Sequence, residues 1–293
     1  MDFQTQAGRT WPPSPTRALA AALCALVLGA PACAGDQCHS DLDPNVAVPP
    51  PGSWYRPQRD TTWQWQLLGS VHTSHEAQLY DVDLFDSDVA LIDSLHAEGR
   101  KVICYFSAGS SENWRSDFGQ FNKASMGEPL EGWDGERWLD VRCPAVFQLM
   151  VARLELAKAK GCDGVEPDNV DGWQNKTGFD LTGQDQLAFN RGLANEAHRL
   201  GLSVGLKNDL DQVAALVAYF DFSVAEQCHE FGECARLAPF VQAGKPVFNA
   251  EYTATATAAA ELAKTVCPQA ASAGLRTLIL PLKLDDTFRV VCD

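Results

Sequence analysis

Short apolar runs of strand character recur along the chain at 63–67, 79–83, 101–107, 164–168, 203–207, 222–226, 246–251 and 276–280. Between them lie amphipathic stretches of helical length at 86–98, 144–160, 183–200, 210–218, 233–243 and 257–271. Runs of period 2 alternating with runs of period 3.6 predict β/α units wound about a parallel sheet. Gly99, Gly161, Gly201, Gly244 and Gly274 stand just past the helix ends, where a left-handed C-cap must turn the chain into the next strand. Asp86, Thr182 and Asp209 read as N-caps, Thr182 with Asp185 three residues on. Eight such strands fit a (β/α)8 TIM barrel, with 138–141 as an extra strand in the long segment between the third and fourth. An open doubly wound sheet is the alternative. It ordinarily carries a Gly-rich phosphate loop, and the sequence has neither G-x-G-x-x-G nor G-x-x-x-x-G-K.

The pattern changes toward the beginning. Arg9 and Arg17 precede an apolar run from 18 to 30 and the small-residue stretch Ala30-Pro31-Ala32-Cys33-Ala34. That order predicts a secretory signal peptide over 1–34, with an apolar run too short to span a bilayer. Secretion to the exterior is the primary reading; a periplasmic form or a lipid anchor through Cys33 is the alternative. Residues 35–62 hold Pro44, Pro49, Pro50, Pro51 and Pro57 and predict a linker or strap ahead of a single domain over 63–293.

Composition agrees with a secreted globular chain. Of 293 residues, ten are cysteine, and cleavage after Ala34 leaves eight: Cys38, Cys104, Cys143, Cys162, Cys228, Cys234, Cys267 and Cys292. An even count permits full pairing in an oxidising compartment; spacing singles out only Cys228 with Cys234, as a local loop staple. The net charge is −15, and losing Asp2, Arg9 and Arg17 with the leader leaves −16. Such a surface repels phosphate backbones, excludes nucleic acid as a partner and favours a neutral or cationic one. Nothing in the sequence calls for a partner subunit, and a monomer is expected.

A β/α barrel keeps its chemistry at the carboxyl ends of its strands. Here those ends read Asp81-Val82-Asp83, Tyr105-Phe106-Ser107, Glu166-Pro167-Asp168-Asn169, Lys207-Asn208-Asp209, Glu226-Gln227 and Glu251-Tyr252. Alternation along a strand puts Glu166 with Asp168 on one face, and Asp81 with Asp83. Carboxylates gathered at one mouth repel one another, which keeps one acid protonated beside one ionised base or nucleophile. A single strand-end Asp is more often a cap or an arginine partner, but six polar strand ends exceed what capping explains. Trp114, Trp133 and Trp173 fall in loops after strands, where indoles serve as platforms for sugar rings or simply anchor the loop.

At this point the sequence resembles a known family. Val82-Asp83-Leu84-Phe85-Asp86, the run from Lys101 to Gly109, the run from Gly161 to Asp171, Val204-Gly205-Leu206-Lys207-Asn208-Asp209 and Ala225-Glu226-Gln227-Cys228 are similar, in order, to motifs of glycoside hydrolase family 114. These are the secreted endo-α-1,4-polygalactosaminidases and their relatives, and the resemblance covers 63 to 252. It implies an enzyme that cuts inside chains rich in α-1,4-linked galactosamine, with no cofactor. It also implies Asp168 of the E-P-D-N string as nucleophile and Glu226 of the E-Q-C string as general acid/base. Retaining hydrolysis needs two carboxyls about 5–5.5 Å apart across the scissile bond. Asp83, Tyr105, Glu166, Asn169, Asp171, Trp173, Lys207, Asn208 and Glu251 are the candidates for contact with sugar hydroxyls and amines.

Two other readings compete. A non-catalytic sugar-binding barrel would need the same acidic, aromatic mouth without a poised carboxyl pair. A metal-dependent polysaccharide hydrolase or deacetylase would need several imidazole or thiolate ligands. The six histidines are scattered, no H-E-x-x-H occurs, and His72 with His75 form only H-x-x-H after the first strand, so no metal is assigned to the site.

Overall fold

The computed structural model describes residues 38–292; the predicted signal peptide and Cys33 fall outside them. In chain order the strands are β1 (Trp63–Gln66), β2 (Leu79–Asp83), β3 (Lys101–Ser107), β4 (Ser110–Glu112), β5 (Met126–Pro129), β6 (Glu136–Leu139), β7 (Gly164–Asp168), β8 (Ser203–Lys207), β9 (Phe222–Glu226), β10 (Val247–Tyr252), β11 (Arg276–Leu280) and β12 (Val290–Val291). The α-helices are α1 (Val89–Ala97), α2 (Pro144–Lys160), α3 (Gly183–Arg199), α4 (Val213–Leu216), α5 (Ala238–Gln242) and α6 (Ala256–Ala273).

One curled sheet runs β1-β2-β3-β7-β8-β9-β10-β11-β12, parallel from β1 to β11 and antiparallel at β12. This is the (β/α)8-type barrel, and its eight parallel strands lie within a residue of the predicted ones. Its first and last strands are tied by side chains: Trp63 Nε1 donates to Arg276 O at 2.9 Å, and Arg289 Nη2 donates to Trp63 O at 2.7 Å. The extra strand predicted at 138–141 is β6, shifted two residues earlier, in a separate antiparallel sheet ordered β4-β6-β5.

Alternation sets two hydrophobic layers. Trp63, Trp65, Ile103, Phe222, Phe248 and Leu278 point into the barrel, while Val82, Val102, Val165, Val204 and Ile279 pack outward under the helices. Inward-facing Gly205 makes room for an aromatic: a Cβ there would stand 2.3 Å from the Phe222 ring. All five predicted C-cap glycines have positive φ, between 73° and 93°. Thr182 and Asp185 form a full capping box at α3.

Two predicted caps are corrected. The first helix begins at Val89 behind Asp88, whose carboxylate accepts from Leu91 N, so Asp86 is no cap. Asp209 is left-handed (φ 46°) and caps nothing with its side chain, which instead accepts from Trp173 Nε1 and Asn190 Nδ2. The helices predicted at 210–218 and 233–243 each open as a 3-10 turn and shrink to α4 and α5.

Residues 38–62 form a strap without regular structure that lies on the helical layer. Trp54 stacks on His198 with ring centroids 4.1 Å apart and donates to Asp221 Oδ1. The eight cysteines among the described residues form four disulfides: Cys38–Cys143, Cys104–Cys162, Cys228–Cys234 and Cys267–Cys292.

Candidate active site

Three neighbouring strands end in the same way. The residues directly after β7, β8 and β9 are Asn169, Asn208 and Gln227, each left-handed with φ of 59°, 48° and 54°. None is glycine, so each conformation is strained. The effect is an abrupt turn at each strand end, which leaves Asp168, Lys207 and Glu226 as the last inward side chains over the mouth. The turn at Asn169 is also where the chain crosses Gly109 closely: a Cβ on Gly109 would sit 1.7 Å from Asn169 O.

Lys207 is the hub. Its ammonium lies 2.9 Å from Glu226 Oε2, 3.1 Å from Asp168 Oδ1 and 3.7 Å from Glu166 Oε1, over the Trp65 ring. Burial alone would lower its pKa; the Asp168, Glu226 and Glu166 carboxylates outweigh burial and hold it well above the usual lysine range. Exposure then separates the three acids. Glu226 keeps 29% of its side-chain surface and Asp168 17%, whereas Glu166 keeps none.

Each exposed carboxylate is fixed by further donors. Asp168 accepts from Tyr105 OH at 2.9 Å and from Asn169 N at 2.7 Å. Glu226 accepts from Tyr252 OH and from Asn208 Nδ2, and its own N–H donates to Asn208 Oδ1 at 3.0 Å. Burial, then the neighbouring carboxylates, push Tyr105 and Tyr252 well above the ordinary phenol range, so both remain donors at neutral pH. Asn169 is held in turn by Ser107 Oγ, which belongs to a Ser107–Ser110–Glu136 chain. Burial raises Glu136 to about 8.

Beneath this lies a second acidic pair. Asp81 and Glu166 are fully buried, both Glu166 oxygens and Asp81 Oδ1 without a hydrogen-bond partner, and burial first, then the Asp81 charge at Glu166, pushes both upward. Asp171 flanks the mouth, raised to about 6 by burial and by Asp168.

Tyr105, Asn169, Asp171, Lys207 and Asn208 thus gather around Asp168 and Glu226. Trp173 lies beside them, its indole N–H on Asp209. Three other predicted contact residues are committed elsewhere. Asp83 is buried, gripped by both Arg115 nitrogens, and accepts from Phe85 N and Asp86 N. Glu166 lies below the surface of the site. Glu251 is buried, accepting from His229 N and Asn249 Nδ2. Tyr252 and Trp65 were not among the predicted site residues. Their inward parity on β10 and β1 is the signal that could have found them, since Tyr252 is the last strand residue facing the mouth.

The model of glycoside-hydrolase family GH114 matches residues 44–293. The chain belongs to that family. This GH114 chain is therefore a glycoside hydrolase. It is similar to Aspergillus fumigatus Ega3, solved in complex with galactosamine, at 42% identity and a TM-score of 0.78 over 83% of this chain and 99% of that one. The glycoside hydrolase domain of PelA from Pseudomonas aeruginosa shares the fold at 14% identity, with a TM-score of 0.63 over 78% of this chain and 97% of that domain. An uncharacterized protein of Deinococcus radiodurans is 28% identical over 90% of this chain and 96% of its own length.

Proposed function

We propose that this GH114 enzyme is an extracellular endo-hydrolase of α-1,4-linked galactosamine polymers that works with retention, Asp168 as nucleophile and Glu226 as general acid/base. The observation that carries the reading is the shared ammonium. One oxygen of each carboxylate touches Lys207 Nζ, at 3.1 and 2.9 Å, so those oxygens stand no more than about 6 Å apart, nearer the spacing of retaining than of inverting enzymes. The likeness to Ega3 with bound galactosamine supports the sugar, and four disulfides support an oxidising exterior.

The residues divide the work as follows. Ionised Asp168, oriented by Tyr105, Asn169 and Lys207, attacks the anomeric carbon while Glu226, protonated in the substrate complex, delivers its proton to the leaving oxygen. Charge thereby passes from Asp168, now an ester, to Glu226. Lys207 touches both, so one cation serves the pair before and after the step without reorganising. Glu226 then takes a proton from the water that frees the sugar, and the charge returns to Asp168. Asp171, Asn208 and Trp173 line the approach for ring hydroxyls and amines.

Substrate amines are largely protonated at neutral pH, and a chain of −16 attracts them. Raising ionic strength from about 0.01 to 0.15 M shortens the Debye length from roughly 30 to 8 Å. Over that range kcat/KM should fall on deacetylated polymer and hold steady on N-acetylated polymer. The central test is release of reducing ends from α-1,4-galactosamine polymer, with the product anomer read by NMR. A first-formed α anomer supports the proposal; a β anomer removes the retaining mechanism, and no release removes the substrate.

A further inference from the structure

His72 and His75, only an H-x-x-H in the sequence, acquire a third partner in the fold. Asp286 arrives from the loop after β11, while both histidines sit in the loop after β1. His72 Nδ1 lies 2.6 Å and His75 Nε2 2.8 Å from the same oxygen, Asp286 Oδ2, and the three ligand atoms all lie within 4.8 Å of one another.

We propose that His72, His75 and Asp286 bind a divalent first-row transition ion, Zn2+ above all, which clamps the seam where the barrel closes. Four features support this beyond the convergence itself. The Asp286 side chain is 2% exposed, and its other oxygen accepts from Gln64 Nε2 at 3.0 Å, the outer-shell support that ligating carboxylates ordinarily have. Asp286 is left-handed at φ 56°, a strained conformation that turns its carboxylate back toward the histidines. The His72 side chain is 57% exposed, which gives an ion its way in and leaves a water position open. Two imidazoles with one carboxylate suit Zn2+, Co2+, Ni2+ or Cu2+, and suit Ca2+ and Mg2+ poorly.

The position argues for a clamp and against catalysis. Gln64 alternates with Trp63 and Trp65, the inward residues of β1, so the cluster stands on the outer side of the wall from Asp168 and Glu226. The two loops already meet there, since Leu67 N and Leu68 N both donate to Leu284 O. The neighbouring strand β12, paired to β11, is only two residues long. Ligation replaces two imidazole N–H donors by two lone pairs, so the ion must compete with protons and binding weakens in acid.

The full secreted protein, stripped with chelator, is titrated with ZnCl2 alone, then with MgCl2 and CaCl2, while bound metal and Tm are measured. One Zn2+ per chain is expected, raising Tm by about 5–10 °C at a free concentration a hundred times Kd. His72→Ala, at an exposed position that should leave folding intact, should abolish both effects, and Gln64→Leu should weaken binding about tenfold. Hydrolytic activity of His72→Ala should match wild type. Absence of bound Zn2+, equal binding by His72→Ala, or equal binding of Mg2+ or Ca2+ would each overturn the proposal.

Discussion

The two ends of the barrel interior are built from the same strands and differ in almost everything else. β9 begins with Phe222 and ends with Glu226; β10 begins with Val247 and Phe248 and ends with Tyr252; β7 runs from Gly164 to Asp168. At the strand starts Phe248 packs tilted against Trp63 and edge-on against Phe222, with ring centroids 5.0 and 5.6 Å apart, and Gly205 gives Phe222 room. At the strand ends the inward positions are carboxylates, an ammonium and phenols, followed by left-handed turns. One end gains stability from buried apolar area and close packing. The other spends it on buried charge and strained backbone, held in place by its neighbours. The floor is what permits the mouth.

Substitutions should separate the two ends cleanly. The largest effect is expected at the mouth, where Glu226→Gln should lower kcat by about 10²–10⁴-fold. Asp168→Asn should be at least as damaging to turnover, and neither should lower Tm as floor variants do. A fall in Tm large enough to account for the lost rate would erase the distinction. Next in size, Phe222→Ala and Phe248→Ala should each cost about 3–5 kcal/mol of stability, measured by denaturant unfolding, while kcat of the folded fraction stays near wild type.

A third effect is a slope. Glu136 and Asp209 have folded pKa values raised by burial to about 8 and about 7, against ordinary values near 4 in the unfolded chain. In that interval the folded state binds more protons than the unfolded one, so stability falls as pH rises from about 4 to about 8. Glu136→Gln and Asp209→Asn should each flatten the Tm–pH curve, whereas Phe222→Ala should shift it down in parallel. Parallel curves for all three would show that mouth acids titrate alike in both states. The smallest effect is expected from Tyr252→Phe, which removes one donor to Glu226. Its kcat/KM should drop by roughly tenfold, as for one hydrogen bond to a charged group, with KM little changed.

The comparison also explains what could be read from the sequence. Strand positions and inward parity follow from alternation, so β7, β8, β9 and their polar ends were legible. Depth within the barrel was not. Asp83 and Glu166 carry the right parity and chemistry yet are buried, Asp83 against Arg115 on the inserted segment, whereas Glu251 has the outward parity of β10, opposite to Tyr252. Asp86 and Asp209 looked like caps because capping is a local pattern; where the helix really starts depends on packing that no short string records. Tyr252 was passed over because a tyrosine at a strand end is ordinary core until a carboxylate faces it.

The first and last described residues, Cys38 and Cys292, are both bridged, to Cys143 and Cys267. Domains usually begin to come apart by fraying at their termini. Here the strap cannot peel away without carrying α2 with it, and β12 cannot leave its place beside β11 without pulling on α6. A protease that cut the backbone once anywhere between 38 and 143 would open a covalent ring and release no fragment. Such a chain can be nicked in a protease-rich medium and still hold Asp168 and Glu226 over the same lysine.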